Sequence, residues 1–395
     1  MKDGYRLLGE FIRQVDVRNT EGKEDNLLGV SVQKVFIPSI ANTVGTDFSK
    51  YKVVRKGQFT YIPDTSRRGD KIAIALLRDY DEGLVSNVYT VFEVVDEEQL
   101  LPDYLMLWFS RPEFDRYARF KSHGSVREIM DWDEMCKVEL PVPAIEEQRR
   151  IVKAYSTITA RINLKKRIND NLAAGIQALF EKLFQDEGVS LSEILIKGKP
   201  APVGWTDSKI EHYAKLQTGP FGTQLHSDEY VAFGTPIINV KNIGHGHVIP
   251  DNLDYLSEET CERLSAHRLQ YGDIVFGRKG SIDRHAFIEK MHEGWVQGSD
   301  CIRVRSADPD ISFYIHCWFS QPVVKQMVIS SSVGSTMASL NTKILGDIRL
   351  LLPPETKKKK FTSNMNQIMS AIALNQDEIQ KLNALSVMIR ESLSR

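Results

Sequence analysis

Trp-Phe-Ser-x-Pro occurs twice in this chain, at 108–112 within LWFSRPEF and at 318–322 within CWFSQPVV. The copies lie 210 positions apart, and sliding the sequence by that distance extends the match well beyond the pentapeptide. Tyr104 falls on Tyr314, Gly124-Ser125 on Gly334-Ser335, Leu140 on Leu350 and Pro143 on Pro353. At the same offset Ile158, Ile162, Leu164, Leu172, Ala174, Glu181 and Leu183 meet Ile368, Ile372, Leu374, Leu382, Ala384, Glu391 and Leu393. Upstream the register drifts by a few residues, with Gly57 against Gly272 and Gly83-x-Val85 against Gly294-x-Val296. One unit is written twice, so the chain must fold as two copies of one architecture.

Each copy has two parts. Residues 1–142 and 188–352 alternate β-rich runs (VYTVFEVV, TPIINVKNI, GDIVFGRKG) with Gly, Asn and Asp turns, interrupted by helical spacing in DYLMLWFSRPEFDRYARF. An α+β domain is expected in each. Residues 143–187 and 353–395 instead carry a heptad stripe. In the first it runs 151, 155, 158, 162, 165, 169, 172, 176, 179, 183, interrupted by Lys165 and Asn169. In the second it runs from Phe361 to Leu393, interrupted by Asn375 and Ser386. Proline pairs (Pro141/Pro143, Pro353/Pro354) stand just before each helix, where proline is tolerated. A stripe this narrow suits one long partner helix. Antiparallel pairing of the two copies through Ile158, Ile162, Leu172, Ile368, Ile372 and Leu382 sets Asn169 opposite Asn375. A polar pair in one core layer fixes register at some cost in stability.

The 395 residues suit two or three domains, and 42% hydrophobic with 26% charged content is that of a soluble globular protein. No apolar run approaches 18 residues and Met1-Lys-Asp-Gly lacks a signal peptide's apolar stretch, so a cytoplasmic protein is expected. Cys136, Cys261, Cys301 and Cys317 form no CxxC pair, which suggests reduced, buried thiols. The segment charges are −4, +2, −2 and +3 along the four parts. None is basic enough for indiscriminate nucleic-acid coating. Two like domains joined by antiparallel helices acquire a pseudo-two-fold axis, which matches duplex DNA but equally allows two protein partners.

The repeated Trp-Phe-Ser-x-Pro, LPVPAIEEQRRIV at 140–152, PVGW at 202–205, LQTGPFGTQLHSDEY at 216–230 and TPIINVKNI at 235–243 make the chain resemble the specificity subunits of Type I restriction–modification systems over essentially its whole length. That resemblance implies two target-recognition domains in tandem, each followed by a long helix, the helices pairing as an antiparallel coiled coil. It implies a non-catalytic subunit reading a bipartite, asymmetric double-stranded DNA site. Its partners would be two DNA adenine methyltransferase subunits, joined by restriction/translocase subunits. No cofactor is implied for this chain; S-adenosylmethionine would belong to the methyltransferases, ATP and magnesium to the restriction subunit. Trp108 and Trp318 would then be core residues. The sequence departs from the family pattern twice. The first domain opens on GYRLLGEFI without Pro-x-Gly-Trp, which suggests a shortened edge, and the second helix opens on Lys357–Lys360 where the first has Glu146-Glu147-Gln148.

Base reading needs paired donors and acceptors on loops, with Lys and Arg meeting phosphates. In the second domain the candidates are Gln217, Thr218, Gln224, His226, Asn239, Lys241, Asn242, His245, Arg278, Lys279, Ser281, Arg284, Ser335 and Thr336. In the first they are Ser66, Arg67, Arg68, Lys71, Lys121, His123, Ser125 and Arg127. Arg67-Arg68, Arg278-Lys279 and the two Gly-Ser turns are the strongest. No phosphate-binding GxxxxGK[ST], methylase motif or nucleophile elbow occurs, and His245-x-His247 lacks further residues at zinc spacing. The competing reading is a symmetric coiled-coil adaptor that bridges two proteins without DNA specificity.

Overall fold

The computed structural model describes residues 4–39, 45–65, 69, 71–122, 128–220, 222–332 and 339–393. The chain divides into two units, Met1–Lys165 with Glu378–Arg395, and Lys166–Asp377. Each unit therefore holds one domain together with a segment of both long helices.

In the first unit the strand Tyr5–Leu7 pairs antiparallel with Glu139–Pro141 and brings the two ends of the domain together. This edge strand has 3 residues where its counterpart in the second unit, Thr206–Lys209 against Arg349–Leu352, has 4. The main sheet of the first unit is antiparallel, in the order Ile12–Val15, Thr90–Val94, Phe59–Tyr61, Ile74–Leu76. The second unit repeats that order with Lys215–Thr218, Cys301–Arg305, Ile274–Gly277 and His285–Phe287, then adds His245–Gly246 as a parallel edge strand. The repeat in the sequence is a repeat in topology.

The Trp-Phe-Ser-x-Pro stretch is a corner between two helices, Pro102–Phe109 and Pro112–Lys121 in one unit, Pro309–Ser320 and Pro322–Ser331 in the other. Proline excludes the α conformation from the residue before it, so Arg111 and Gln321 are both extended and the chain turns there. Phe109 and Phe319 point into the two cores with Trp108 and Trp318, all four buried. Tyr104 Oη donates to Pro141 O (3.1 Å) and Tyr314 Oη to Leu351 O (2.6 Å), tying each helix to its closing strand.

The long helices run Ile145–Gln185 and Glu355–Ser392. Every stripe position of the second, from Phe361 to Leu393, is at least partly covered. In the first the stripe holds through Ile176, breaks at the exposed Leu179 and returns at the partly covered Leu183, while Phe180 and Phe184 beside it are fully buried. An α-helix turns 3.6 residues per turn, so a 3.5-residue stripe drifts off its face unless the helix supercoils. Here the covered face of the last turns widens by one position to take in Phe180 and Phe184. Within the second unit Asn375 Nδ2 donates to Asn169 Oδ1 at 2.8 Å, Phe180 meets Phe361 with ring centroids 5.6 Å apart, and Lys357 pairs with Glu187. Within the first, Arg161 and Lys165 both pair with Glu378. These partners run in opposite senses along the two helices, which is antiparallel pairing. The helices also pack on the domains: Ile176, Phe180, Phe184, Phe361 and Met365 join the Trp318 core, and Leu393 joins the Trp108 core.

The lysine run is not a uniformly solvated face. Lys358 is buried between Asp308 (3.6 Å) and Glu355 (3.0 Å), and Lys359 faces Glu355 at 3.7 Å. Lys358 lies 210 positions after Gln148, whose buried amide accepts from Leu101 N and donates to Gln99 O and Pro143 O. Both side chains pin the start of a long helix to the loop before the Trp-Phe corner.

Candidate nucleic-acid interface

Antiparallel order fixes which loops gather at each end of a sheet. In the second unit Thr218 lies beside Ile302, Gly277 beside Cys301 and Phe276 beside His285. The segments 218–220, 278–284 and 298–300 therefore share one end. Hydrogen bonds stitch them together: Gly219 N to Cys301 O (2.9 Å), Arg278 N to Asp300 O (2.8 Å) and Leu340 N to Arg278 O (2.8 Å). Gly298 N donates to Ile238 O at 2.9 Å, which adds the segment leading into Asn239. A Cβ on Gly219 would fall on the Gly298 carbonyl, so this approach requires glycine. The first unit repeats the arrangement. Tyr61 lies beside both Thr90 and Ile74, and the 62–73 hairpin loop is bridged to 128–130 through Thr65 N to Glu128 O (3.1 Å) and an Asp64–Ile129 bridge. The Lys279–Ser339 bridge of the second unit is the same contact, with Ser339 lying 210 positions after Ile129.

The described residues of four candidate stretches, GRKGSIDRH, QTGPFGTQLH, NVKNIGHGH and PDTSRRGDK, thus border these two loop clusters. Ser66, Arg67, Arg68, His123, Ser125, Arg127, Ser335 and Thr336 lie outside the described residues. Arg278 and Arg284 are each half-buried with an Nε–H that is shut off from solvent and has no hydrogen-bond partner among the described residues. Withholding an acceptor from a buried guanidinium donor costs about 1–3 kcal/mol. The strand-bracing Arg303 has an enclosed Nε–H of the same kind, so this feature does not by itself mark a contact to nucleic acid. Lys279 is exposed but faces Asp300 at 3.5 Å. Ser281, Gln224, His226 and Lys71 are exposed, Thr218 is half-buried at the end of its strand, and Lys121 is half-buried at the end of its helix.

Other candidates are committed elsewhere. Asn242 is fully buried and its amide donates to Ile249 O and Asp251 O, both at 3.1 Å, so it shapes the loop and has no free edge. Asn239 donates to Asp254 (2.8 Å), and Lys241 forms an ion pair with the same carboxylate (2.8 Å). The Lys241 hydrogen bond holds Asp254 below the usual carboxylate range. Gln217 accepts from Arg303 Nη2 and lies 3.4 Å from His267 Nδ1. Burial, with Arg303 nearby, pushes the His267 imidazole below its usual value. His245 is exposed on the edge strand, where it lines a cavity of about 440 Å³ with Asn169, Asp170 and Glu289.

The sequence reading missed Arg303 and Arg305. Both alternate with Ile302 and Val304 along CIRVR, so they face the other side of the sheet. Arg303 Nη1 reaches the carbonyls of Ala266 (3.1 Å) and Arg268 (3.3 Å), and Arg305 grips the buried Asp273 with two bonds of 2.6 Å. They brace the strand that carries the 298–300 loop, and period-two alternation was the signal for them. Among the described residues no group of three or more His, Cys, Asp or Glu is arranged to hold a metal.

A family model described as the Type I restriction modification DNA specificity domain matches residues 12–174 and again 202–384. Two specificity subunits of Type I restriction enzymes from Methanocaldococcus jannaschii are similar in sequence. MjaIX is 21% identical over 74% of this chain and 68% of its own length, and MjaVIII is 20% identical over 76% and 71%. The crystal structure of the S subunit of a Type I restriction–modification system from M. genitalium superposes with a TM-score of 0.56. It is 14% identical, covering 99% of this chain and 96% of that one.

Proposed function

The chain belongs to the Type I restriction modification DNA specificity family, as a specificity subunit, and from that premise we propose that its two domains read the two halves of a split duplex site through the loop clusters described above. The observation that supports this reading is the gathering of Arg278, Lys279 and Arg284 on one loop at the end of the second sheet, stitched to the 218–220 and 298–300 segments. Guanine O6 and N7, or phosphate oxygens, are the acceptors that arginine and lysine on such a loop would meet. The first long helix has 41 residues and would run about 60 Å at 1.5 Å per residue. Paired helices of that length suit a spacer between half-sites about 34 Å apart on one face of DNA.

The chain itself carries out no chemistry in this reading. Two adenine methyltransferase subunits dock on it and bring S-adenosylmethionine, and a restriction/translocase subunit brings ATP and magnesium. The complex works in the cytoplasm; among the described residues no helix is long and apolar enough to cross a membrane.

The test is titration of labelled duplexes, specific and random, against the chain with its cognate methyltransferase subunits. Arg278→Ala is expected to weaken specific binding by about 1–3 kcal/mol if Arg278 reads a base, with random duplex unaffected. Equal weakening of both assigns it to phosphate. No change in either, for Arg278→Ala and Arg284→Ala together, overturns the loop assignment. Binding that ignores sequence altogether returns the adaptor reading.

A further inference from the structure

A loop that reads must also be held, and the first unit holds one of its loops with a buried ion pair. Lys34 stands at φ +65° in the turn between the strands Leu28–Val30 and Phe36–Pro38. That conformation suits glycine or asparagine and strains a lysine. Its side chain reaches the helix Pro112–Lys121, where Nζ donates to Asp115 Oδ1 at 2.6 Å and, beside it, to Ile72 O at 3.1 Å. Asp115 Oδ1 also accepts from Ile72 N at 3.2 Å. The two charged side chains are only 7% and 15% exposed. Burial pulls the Lys34 ammonium below its usual range against the pull of Asp115, and the nearby Lys71 ammonium adds to the lowering.

Both backbone groups of Ile72 are thus gripped by one ion pair. Ile72 follows the exposed candidate Lys71 and precedes Ala73, whose carbonyl accepts from Ile62 N at 2.9 Å and closes the loop. The other arm of the loop is fixed differently. Met130 N donates to Pro63 O (3.0 Å), Thr65 N to Glu128 O (3.1 Å) and Thr65 Oγ1 to Ser122 Oγ (2.9 Å). Burying two charges is a costly way to hold a backbone, since both must leave water. The second copy does not repeat it: the residue 210 positions after Asp115 is Lys325. There the matching loop is stitched through its own backbone, Arg278 N to Asp300 O (2.8 Å) and Ile282 N to Gly280 O (2.9 Å). A strained turn and a buried ion pair therefore meet on one loop of the first cluster.

We propose that Lys34 and Asp115 are positioning residues of the first recognition domain: by gripping Ile72 they set where Lys71 and its loop meet the duplex, without touching nucleic acid themselves. This rests on the reading of the loop clusters as the duplex interface. Because the pair belongs to one copy, its loss acts on one half of a split site and spares the other.

The probe is a library of randomised duplexes, from which the full chain with its cognate methyltransferase subunits selects. Wild type is expected to select a two-part motif. The readout is the ratio of affinities for a selected duplex and for the same duplex scrambled in one half, which does not depend on how much of the protein is folded. Lys34→Asn suits the turn and removes the ammonium; Asp115→Leu removes the acceptor. Each should lower the ratio at least tenfold for one half and leave the other half unchanged. Asp115→Asn keeps an oxygen for Ile72 N and for a neutral Lys34 amine, so it should stay within about threefold of wild type. Hydrogen exchange over 71–75 should quicken in Lys34→Asn and Asp115→Leu and stay slow over 102–110, which marks local release and not unfolding. An unchanged ratio at both halves in Lys34→Asn overturns the inference. So does an equal fall at the two halves, or a loss in Asp115→Asn as large as in Asp115→Leu. A wild-type complex that selects no motif overturns the duplex reading itself, and the role of the pair falls with it.

Discussion

His285 Nε2 and His316 Nδ1 lie 3.1 Å apart inside a box of Phe276, Phe287, Phe313 and Phe319, both imidazoles buried. One proton can lie between them, and a second has no acceptor. Burial pushes His316 down to about 4 and His285 well below its ordinary value, with the Lys325 ammonium adding to both. In the unfolded chain each imidazole binds its proton near pH 6.5. Between those limits the unfolded state holds more protons, so stability is complete above about 6.5 and is lost as pH falls toward 4. For His316 alone this amounts to about 3 kcal/mol over the window. Scanning calorimetry at pH 7 and pH 5 should show the second unit melting markedly lower at pH 5, with His316→Gln reducing the difference. Equal melting at both pH values would contradict the buried neutral pair. The pair could not be read from the sequence, where His285 and His316 stand 31 positions apart with nothing to join them. Asn242 and Gln217 show the same limit: donor-rich side chains near a glycine turn look alike whether they face solvent or hold the turn together. Arg278 does lie on the loop after its strand, where the glycine-flanked sequence placed it.

At the scale of elements, the stripe on the long helices was legible because their seam is narrow and one pattern governs some forty residues. Its break at Leu179 has a local cause, since Phe180 and Phe184, each one position past the stripe, are the residues that enter the Trp318 core. Short strands such as His245–Gly246 have no such period and had to await the fold. The Asn169–Asn375 layer makes a prediction of its own. Asn375→Leu leaves the Asn169 amide without its partner in a largely covered layer, which should cost about 1–2 kcal/mol. Asn169→Leu with Asn375→Leu should recover that loss or exceed it, because an apolar layer packs without desolvating amides. The double variant is also expected to pair less uniquely, so that disulfide trapping between cysteines placed along the two helices yields more than one register. Single-register trapping in the double variant would show that the ion pairs of Glu378 suffice to align the helices.

At the scale of the molecule, the tandem order of the sequence is not the order of the packing. The first unit is completed by Glu378–Arg395, and the second by the part of the first long helix that follows Lys165. In each, the Trp-Phe-Ser-x-Pro corner receives the far end of the helix that the other copy supplies. Arg390 Nη1 donates to Ser110 O at 3.2 Å and Leu393 is buried beside the Trp108 core, while Gln321 donates to Gln177 Oε1 at 2.8 Å and Phe180 and Phe184 flank Trp318. The pentapeptide is repeated because each domain needs the same socket. Removing residues 378–395 should therefore damage the domain farthest away in sequence. It takes Leu393, the Arg390 hydrogen bond and the Glu378 pairs from the first unit, while the second keeps Phe361, Met365, Ile372 and Asn375. Burial of a single leucine is worth about 2–3 kcal/mol, a large share of the stability of an ordinary domain. Hydrogen exchange on the truncated chain is expected to quicken in 102–121 and to stay slow in 309–331. If the loss fell instead on 309–331, nearest the cut, each helix would be serving only the domain that precedes it, and the shared sockets would have no role.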